Sequence, residues 1–471
     1  MAKEYDLVIV GGGIGGYTAA IRASQLGMKT ALVEKKQLGG TCLHKGCIPT
    51  KTFLKSAEIY RNIRNASEFG IQIQGYELDF AMIQKRKEAV IQQLQKGITY
   101  LIKKNKIDLY LGTGRLLGPS IFSPLAGSVS VNSDGENEIL IGKHVLLATG
   151  SGARSLNGLP FDGNSVLSSD DLLNLKNLPR SLAIIGGGVI GIEWASLLAD
   201  FGVEVTIVEY ADQLLPQEDR DISRELARLF MKKGIKVYTK AKFLPESVKY
   251  GEKLSFDIEQ EDERKTVVAD KIFVAIGRSP NILDLGLENT AIQVSDGAIK
   301  TNAFYQTDES HIYAIGDCIG GMQLAHTASR EAIIAVEHMA GENPLPLDYR
   351  HVPRCVYSYP AIASIGLTEK QALDEGYRVK TAQFPFSGIG KAHVNGDADG
   401  FAKIIVDKET DDILGIHLIG EGVTELIAEA SFAFSFDATP WELAHAVYPH
   451  PSLSEVIGEV ALAVQNRAIH I

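Results

Sequence analysis

The pattern of apolar and glycine positions repeats once along the chain, at an offset of 175 residues. Segments 7–34 and 182–209 align without gaps, and 10 of their 28 positions are identical. In each copy a short apolar run meets a glycine cluster, an amphipathic stretch of period 3.6 and a second apolar run ending in Glu. This order is typical of a βαβ unit. The pattern predicts two dinucleotide-binding domains, because a solenoid needs three or more short repeats.

The sequence between and after the two copies predicts how their domains are completed. Segments 51–65 and 79–105 are predicted to be helical, and 107–150 to form short strands separated by Gly, Pro and Ser turns. The apolar run at 270–281 resembles the one that ends near residue 150. We therefore expect each of these two runs to close the domain that precedes it.

The last third of the chain has a different pattern. Residues 311–340 have no counterpart in the second unit, so we expect them to return to the first domain. From Val352 onwards, strand-like runs alternate with a long apolar helix at 423–436. This combination predicts a third domain, built on an antiparallel sheet with helices.

Composition and charge exclude several classes of protein. The 471 residues contain 47 Lys and Arg against 58 Asp and Glu, so the net charge of −11 argues against nucleic acid or an anionic membrane as partner. No apolar run approaches the roughly 18–20 residues of a membrane span. Four cysteines are too few for a disulfide scaffold. The N-terminus MAKEYD lacks the pattern of a secretion signal, which predicts a cytoplasmic location.

The first glycine cluster has the spacing GxGxxG directly after a predicted strand. Gly11 permits the tight turn, Gly13 lets the backbone approach a pyrophosphate, and Gly16 lets the helix pack on the strand. Glu34 ends the next strand, at the distance expected for an acid that binds a ribose. The alternative is a glycine-rich turn with an unrelated surface acid.

The second cluster repeats this arrangement and indicates which nucleotide binds. It comprises Gly186, Gly188, Val189, Ile190 and Gly191. Glu209 occupies the position equivalent to Glu34, where a carboxylate would bond the 2′-hydroxyl of NAD and repel the 2′-phosphate of NADP. No Arg follows Glu209 directly, so NAD is favoured over NADP. The alternative is a solvated acid at the end of a strand.

The segment GGTCLHKGCIPTK (39–51) contains two cysteines five residues apart. On a regular helix Cys42 and Cys47 would lie about 140° apart around the axis and beyond the roughly 7 Å Cα separation of a disulfide. A bond between them therefore requires a distorted helix turn, which Gly46 and Pro49 would permit. A redox pair is favoured because the motif closely follows the first dinucleotide unit.

Two other interpretations of these cysteines remain open. A zinc site would need two more soft ligands, and Cys318 and Cys355 form no second close pair. Two incidental cysteines are the other alternative.

A last motif, HPSLSE, lies near the C-terminus at 450–455. Ser452 and Glu455 have the spacing of a capping box, which predicts the start of the final helix.

Together, GGTCLHKGCIPTK, the doubled GxGxxG units and HPSLSE resemble the class I flavin-dependent pyridine nucleotide–disulfide oxidoreductases over essentially the whole chain. The resemblance implies an α/β fold with two Rossmann-like dinucleotide-binding domains, for FAD and NAD, plus a C-terminal α+β dimerisation domain. The implied domain limits are 1–150 and 282–350 for the FAD-binding domain, 151–281 for the NAD-binding domain and 351–471 for the dimerisation domain.

The resemblance also assigns cofactor contacts residue by residue. Those implied for FAD are Gly11, Gly13, Gly16, Glu34, Thr41, Lys51, Gly114, Asp317 and Ala325 with the adjacent His326. Those implied for NAD are Gly186, Gly188, Val189, Ile190, Gly191, Glu209, Ala275, Ile276, Gly277 and Arg278. No metal is implied.

For catalysis, the resemblance implies that Cys42 exchanges with the substrate and Cys47 passes electrons to the flavin. Lys51 would lie near flavin N5, paired with Glu193. His450 would be the catalytic base, supplied by the other subunit of a homodimer. Glu455 would orient it, and this role is compatible with a capping box.

The motifs are most similar to those of members that oxidise dihydrolipoamide on the lipoyl domain of a 2-oxoacid dehydrogenase acyltransferase, reducing NAD. Tyr448 stands where a second histidine is usual, and Thr50 where Ser is commoner. A glutathione reductase-like member is one alternative, opposed by Glu209 and by Val189, where such enzymes carry Tyr. A non-catalytic flavoprotein that senses NADH is another, opposed by the complete set of catalytic residues.

Overall fold

The computed structural model describes residues 2–119, 126–133 and 135–471. In chain order its helices are α1 Ile14–Gln25, α2 Gly40–Lys45, α3 Cys47–Arg64, α4 Phe80–Lys104, α5 Ser169–Leu172, α6 Val189–Asp200, α7 Arg220–Lys232, α8 Ala325–Met339, α9 Glu369–Asp374, α10 Gly390–Asn395, α11 Val423–Ser435, α12 Pro440–His445 and α13 Glu455–Ala463. Within the described ranges, no helix is both long and apolar enough to cross a membrane.

The strands are β1 Lys3–Val10, β2 Thr30–Glu34, β3 Asp108–Leu111, β4 Thr113–Leu116, β5 Val129–Ser133, β6 Glu136–Leu147, β7 Ser151–Ala153, β8 Val166–Leu167, β9 Ser181–Ile185, β10 Glu204–Val208, β11 Lys236–Tyr238, β12 Ala241–Phe243, β13 Leu254–Gln260, β14 Glu263–Ala269, β15 Lys271–Val274, β16 Arg278–Pro280, β17 Val294–Ser295, β18 Ala298–Ile299, β19 Ile312–Ala314, β20 Arg354–Val356, β21 Ala361–Gly366, β22 Val379–Pro385, β23 Phe401–Asp407 and β24 Ile413–Gly420.

The first repeat builds a sheet with the order β3-β2-β1-β6-β5-β4. Strands β1, β2, β3 and β6 are parallel, and β5 and β4 continue antiparallel. The predicted short strands of 107–150 are confirmed, although positions 120–125 and 134 lie outside the described residues. Strand β19 pairs parallel with β6, so residues 311–340 return to this sheet as expected.

The second repeat builds a parallel sheet with the order β11-β10-β9-β15-β8. Here β9, α6 and β10 take the places that β1, α1 and β2 take in the first sheet, and β15 takes that of β6. The predicted pair of βαβ units is therefore confirmed. Strands β12, β13 and β14 form a separate antiparallel sheet.

The third sheet is antiparallel, with the order β20-β21-β24-β23-β22. Helices α11 and α13 pack on it around a core of buried apolar side chains that includes Phe384, Ile404, Ile416, Ile427 and Val460. The predicted antiparallel domain and its apolar helix at 423–436 are confirmed.

Contacts divide the chain into two compact units. One contains residues 1–52, 81–154 and 278–347, and the other contains 53–80, 155–277 and 348–471. The chain twice leaves the first unit and returns to it, leaving after Thr52 and after Arg154 and re-entering at Ala81 and at Arg278. The sequence-based limits at 150, 281 and 350 stay predictions.

In both repeats a glycine lets the helix come into van der Waals contact with the turn that precedes it. A Cβ on Gly16 would lie 1.8 Å from the carbonyl oxygen of Gly11, and one on Gly191 would lie 2.2 Å from that of Gly186. Gly11 and Gly186 themselves have φ of +112° and +111°, which disfavours any side chain. The backbone oxygens that would be hit cannot swing aside as a flexible side chain would.

Gly16→Ala is therefore expected to lower the stability of the first unit by about 1–3 kcal/mol, through overpacking against backbone. Gly97→Ala is the matched control, because Gly97 lies in α4 with no atom within 4 Å of the added Cβ. That change should raise stability by about 1 kcal/mol through helix propensity. Thermal unfolding midpoints of the two variants measure both effects. A Gly16→Ala midpoint at or above the wild-type value would contradict the steric argument.

Candidate functional site

The two motif cysteines lie on either side of a helix break. Helix α2 ends at Lys45 and α3 begins at Cys47, and Gly46 between them has φ −140° and ψ −107°. Pro49 lies in the first turn of α3, where proline is tolerated because that turn lacks intrahelical acceptors for its N–H groups. The distortion that the five-residue spacing required is confirmed.

This break brings the thiols of Cys42 and Cys47 into hydrogen-bond contact, and both are partly buried. The hydrogen bond with Cys47 and burial raise the pKa of the Cys42 thiol far above its usual range, while the charge of Lys51 opposes the rise. The Cys42 thiol therefore keeps its proton at neutral pH. Thiol–disulfide exchange at this pair needs a base from elsewhere in the protein, because the thiolate is the reactive form.

The zinc interpretation finds no support in the part of the chain that the structure describes, where no three His, Cys, Asp or Glu side chains are grouped as a metal site requires. Cys318 is fully buried, and its thiol donates to the carbonyl oxygen of Ile315 at 3.1 Å. Burial raises the pKa of Cys318 to about 11. Cys318 is therefore a packed thiol rather than a reactive one.

The acid that ends the second strand of each repeat binds the backbone of its own glycine loop. Glu34 accepts hydrogen bonds from the N–H groups of Gly12 at 2.8 Å and Lys36 at 2.7 Å. Glu209 makes the same two contacts with the N–H groups 175 residues further on. A carboxylate has about four acceptor positions, so each acid retains capacity for a ribose hydroxyl. The sequence predicted ribose binding for these acids. It did not predict that they also hold the glycine loop in shape.

Both glycine loops have the geometry that a dinucleotide needs. A Cβ on Gly188 would meet no atom within 4 Å, and one on Gly13 would meet only the Cα of Gly40, at 3.8 Å. The N-cap residues of α1 and α6 are Gly13 and Gly188, and neither helix has a side-chain cap. Val189, the first residue of α6, is 42% exposed. Free N–H groups at a helix N-terminus fit the pyrophosphates of FAD and NAD.

The predicted flavin ligand Asp317 lies in a short 3-10 turn at Gly316–Ile319. The hydroxyl of Ser151 donates a hydrogen bond to its carboxylate, and the buried Glu331 accepts one from the N–H of Gly316 at 2.7 Å. Ser151 and Glu331 were not predicted. They come from other segments of the chain, and no motif around either residue indicates a contact with the turn at Asp317.

The other predicted cofactor residues occupy loops and element ends. Thr41 lies in α2, Lys51 in α3, Gly114 in β4, Ile190 in α6, Ala325 and His326 at the start of α8, and Ala275, Ile276 and Gly277 directly after β15. Glu193 is 4% exposed, and its Oε1 accepts a hydrogen bond from the N–H of Tyr357 at 3.0 Å. The ion pair between Lys51 and Glu193 stays a prediction.

His450 and Glu455 form a pair at the start of the final helix. Nδ1 of His450 lies 2.9 Å from Oε1 of Glu455, and the N–H of Ser452 donates to Oε2 at 3.0 Å. The N–H of Ser452 and the His450 ring hold the pKa of Glu455 below its usual range. The carboxylate therefore stays ionised at neutral pH and can orient the imidazole, whose side chain is 77% exposed.

The capping-box prediction is only half right. Glu455 does accept from the N–H of Ser452, but α13 begins at Glu455 itself, and Ser454 is its N-cap residue. The hydroxyl of Ser452 is buried and has no partner among the described residues. The hydroxyl half fails because Ser452 lies too far before the first helical turn to reach its N–H groups.

The two departures from the family pattern have ordinary packing roles. The hydroxyl of Tyr448 donates to the carbonyl oxygen of Leu443 at 2.9 Å, and its ring would meet a Cβ on Gly458 at 2.7 Å. Thr50 is buried in the first turn of α3.

Comparison with known proteins agrees with this geometry. The family model "Pyridine nucleotide-disulphide oxidoreductase" matches residues 5–332, and its dimerisation domain matches 352–461. A Bacillus subtilis dihydrolipoyl dehydrogenase is 57% identical over the full length of both chains. The mitochondrial dihydrolipoyl dehydrogenase 2 of Arabidopsis thaliana is 39% identical over 100% of this chain and 92% of its own.

Solved structures give the same result. The crystal structure of LpdA from Mycobacterium tuberculosis superposes with a TM-score of 0.89 at 28% identity, covering 98% of this chain and 99% of that one. The flavoprotein disulfide reductase RclA of Escherichia coli, as its Cu(II) complex, superposes with a TM-score of 0.85 at 29% identity and the same coverage. These matches identify an oxidoreductase that uses FAD and NAD and carries a dimerisation domain. The chain belongs to the pyridine nucleotide-disulphide oxidoreductase family.

Proposed function

We propose that this chain, as a cytoplasmic homodimer, oxidises dihydrolipoamide carried on the lipoyl domain of a 2-oxoacid dehydrogenase acyltransferase and reduces NAD. The contact between the thiols of Cys42 and Cys47 at a helix break is the observation that carries the proposal. The names of the relatives support this substrate over glutathione, and they support an enzyme over a sensor.

His450 is the proposed base for the substrate thiol. If Nδ1 carries the proton donated to Glu455, Nε2 is left as the acceptor. An ordinary thiol has a pKa near 8.5 and is mostly protonated at pH 7, so a general base accelerates its attack. In the family arrangement this histidine serves the cysteine pair of the other subunit.

The substrate thiolate attacks the sulfur of Cys42 in the Cys42–Cys47 disulfide. A bond forms between the substrate sulfur and Cys42, and Cys47 leaves as a thiolate. The second substrate thiol, after losing its proton, attacks the mixed disulfide, so the lipoyl ring closes and Cys42 is released. The substrate has lost two electrons and the cysteine pair has gained them. Bound FAD would supply the route for those two electrons from the pair to NAD.

Lys51 and Glu209 are the proposed charge contacts with the cofactors. A lysine near the flavin ring would stabilise negative charge there, and the buried Glu193 is its proposed partner. The buried carboxylate of Glu209 would accept from the 2′-hydroxyl of NAD and repel an additional phosphate.

Cys47→Ser is expected to lower lipoamide-dependent turnover by at least about 1,000-fold, because it removes the leaving group of the exchange. Reduction of ferricyanide by NADH, which needs flavin but no disulfide, should be retained. Cys355→Ser is the control and should keep lipoamide turnover. Steady-state assays with both acceptors measure this, and full lipoamide turnover by Cys47→Ser would refute the scheme.

His450→Gln should lower kcat with lipoamide by about 10²–10⁴-fold, the usual contribution of a general base. His445→Gln is the matched control, since His445 is exposed and stacks on Trp441. The rate of ferricyanide reduction should be the same in both variants. Equal lipoamide kcat values for the two variants would remove His450 from the mechanism.

The matched pair Glu34→Gln and Glu209→Gln tests which sheet binds which cofactor. Each change removes one charge at equivalent positions, and a hydrogen bond to a charged group is worth about 1.5–3 kcal/mol. Glu209→Gln should raise the KM for NADH about 10-fold or more and leave FAD content intact. Glu34→Gln should instead weaken FAD retention. The assignment of the cofactors would be reversed if Glu209→Gln lost flavin and Glu34→Gln raised the KM for NADH.

A further inference from the structure

Two short strands lie where the chain leaves the first compact unit for the second time and where it returns. Strand β7 ends one residue before the exit at Arg154, and β16 begins at the re-entry residue, Arg278. They pair antiparallel, and Thr149 and Asn281 close the pair with a hydrogen bond from the Thr149 hydroxyl to the Asn281 carbonyl at 2.7 Å. We call this pair of strands the ribbon. Its hydrogen bonds hold the backbone of Arg278 opposite Ala153.

Two nitrogens of the Arg278 guanidinium donate hydrogen bonds to Ser151 on the opposite strand. Nε donates to the hydroxyl oxygen of Ser151 at 2.7 Å, and Nη2 donates to its carbonyl oxygen at 2.6 Å. Nη2 also lies 3.5 Å from the hydroxyl of Thr41, the residue before Cys42. Two bonds from adjacent nitrogens to one residue use the planar fork of arginine, which lysine lacks.

The hydroxyl of Ser151, held from one side by Arg278, donates to the carboxylate of Asp317. Asp317 lies 3.9 Å from Nε of Arg278, and the two side chains are 20% and 13% exposed. The positive charge thus faces a partly buried carboxylate at short range, with the serine hydroxyl between them. The same turn is fixed from the other side by Glu331, which accepts from the N–H of Gly316.

We propose that Arg278 is a positioning residue of the flavin site, acting on Asp317 through Ser151. The inference rests on the proposed binding of FAD, with Asp317 as a flavin contact. The family motif at 275–278 led us to expect Arg278 at the NAD site. That assignment stays a prediction, and the side chain itself contacts Thr41 and lies beside Asp317, two residues predicted to bind FAD.

Removing the guanidinium would have two consequences for Asp317. The Ser151 hydroxyl would lose the donor that fixes its orientation, so its bond to Asp317 would no longer be held in place. The carboxylate would also lose the nearby positive charge, which raises the cost of bringing the negatively charged pyrophosphate of FAD into the same site. Both effects weaken FAD binding and leave the NAD loop at 186–191 untouched.

The test measures FAD binding to apoprotein by flavin fluorescence for wild type, Arg278→Met, Ser151→Ala and the double variant. Each single change should raise the Kd for FAD about 10- to 100-fold, the loss expected for a charge-assisted hydrogen bond. The double variant should bind no more weakly than the weaker single variant, because both changes break one chain of contacts. Arg154→Met, an exposed arginine at the end of the same ribbon, should bind FAD as wild type does.

Two further measurements distinguish a positioning role of Arg278 from a pure charge effect and from an effect on NAD binding. Arg278→Lys keeps the charge but not the fork, so it should restore less than half of the lost affinity on a logarithmic scale. The KM for NADH of the FAD-saturated variants should stay within about two-fold of wild type. A change at one site has little effect on a distant site with which it shares no contacts. Ser151→Ala removes a single oxygen, so its effect stands even if Arg278→Met folds poorly.

Several results would overturn the inference. An unchanged FAD Kd in Ser151→Ala, additive effects in the double variant, full rescue by Arg278→Lys, or a raised NADH KM with unchanged FAD affinity would each do so while leaving the proposed function intact. Wild-type apoprotein that fails to bind FAD would overturn both proposals together.

Discussion

The close approach of a helix to the turn before it is the constraint on which both dinucleotide sites depend. At Gly16 and Gly191 there is no room for even one carbon atom between helix and turn backbone. That approach aims the first turn of each helix at the loop and leaves its N–H groups uncapped. It also brings the loop N–H within reach of the acid that ends the next strand, so the predicted ribose ligand also holds the loop in shape.

The chemistry at Cys42 and Cys47 depends on a second local constraint, the break at Gly46. A continuous helix would separate the thiols, and the break puts them in contact. The same contact, together with burial, keeps the Cys42 thiol protonated. The proposed base therefore comes from a part of the chain distant in sequence from the cysteine pair, as His450 with its ionised partner Glu455.

Local features of this chain were predictable because they follow from short-range geometry. The period of the apolar positions gave both βαβ units, and the five-residue cysteine spacing gave the helix break. The link from Arg278 to Ser151 and Asp317 joins residues more than 30 positions apart, and no periodicity reports such contacts. The capping-box prediction was half wrong because the spacing from Ser452 to Glu455 does not tell where the helix begins. One carboxylate oxygen of Glu455 accepts from the N–H of Ser452, and the other contacts the ring of His450.

The two repeats share a scaffold, but the helix of the second repeat buries polar side chains along its length, whereas α1 buries only Gly and Ala. In α6, Glu193, Ser196 and Asp200 are spaced by about one turn and are all buried. Glu193 accepts from the backbone N–H of Tyr357, and Asp200 accepts from the guanidinium of Arg61 in α3 at 2.8 Å. A buried charge without such partners would be costly, so each contact must persist for the helix to stay in place. The proposed nucleotide contacts of α6 are thus confined to its N-terminal turn, while Asp200 at its other end holds Arg61 of α3.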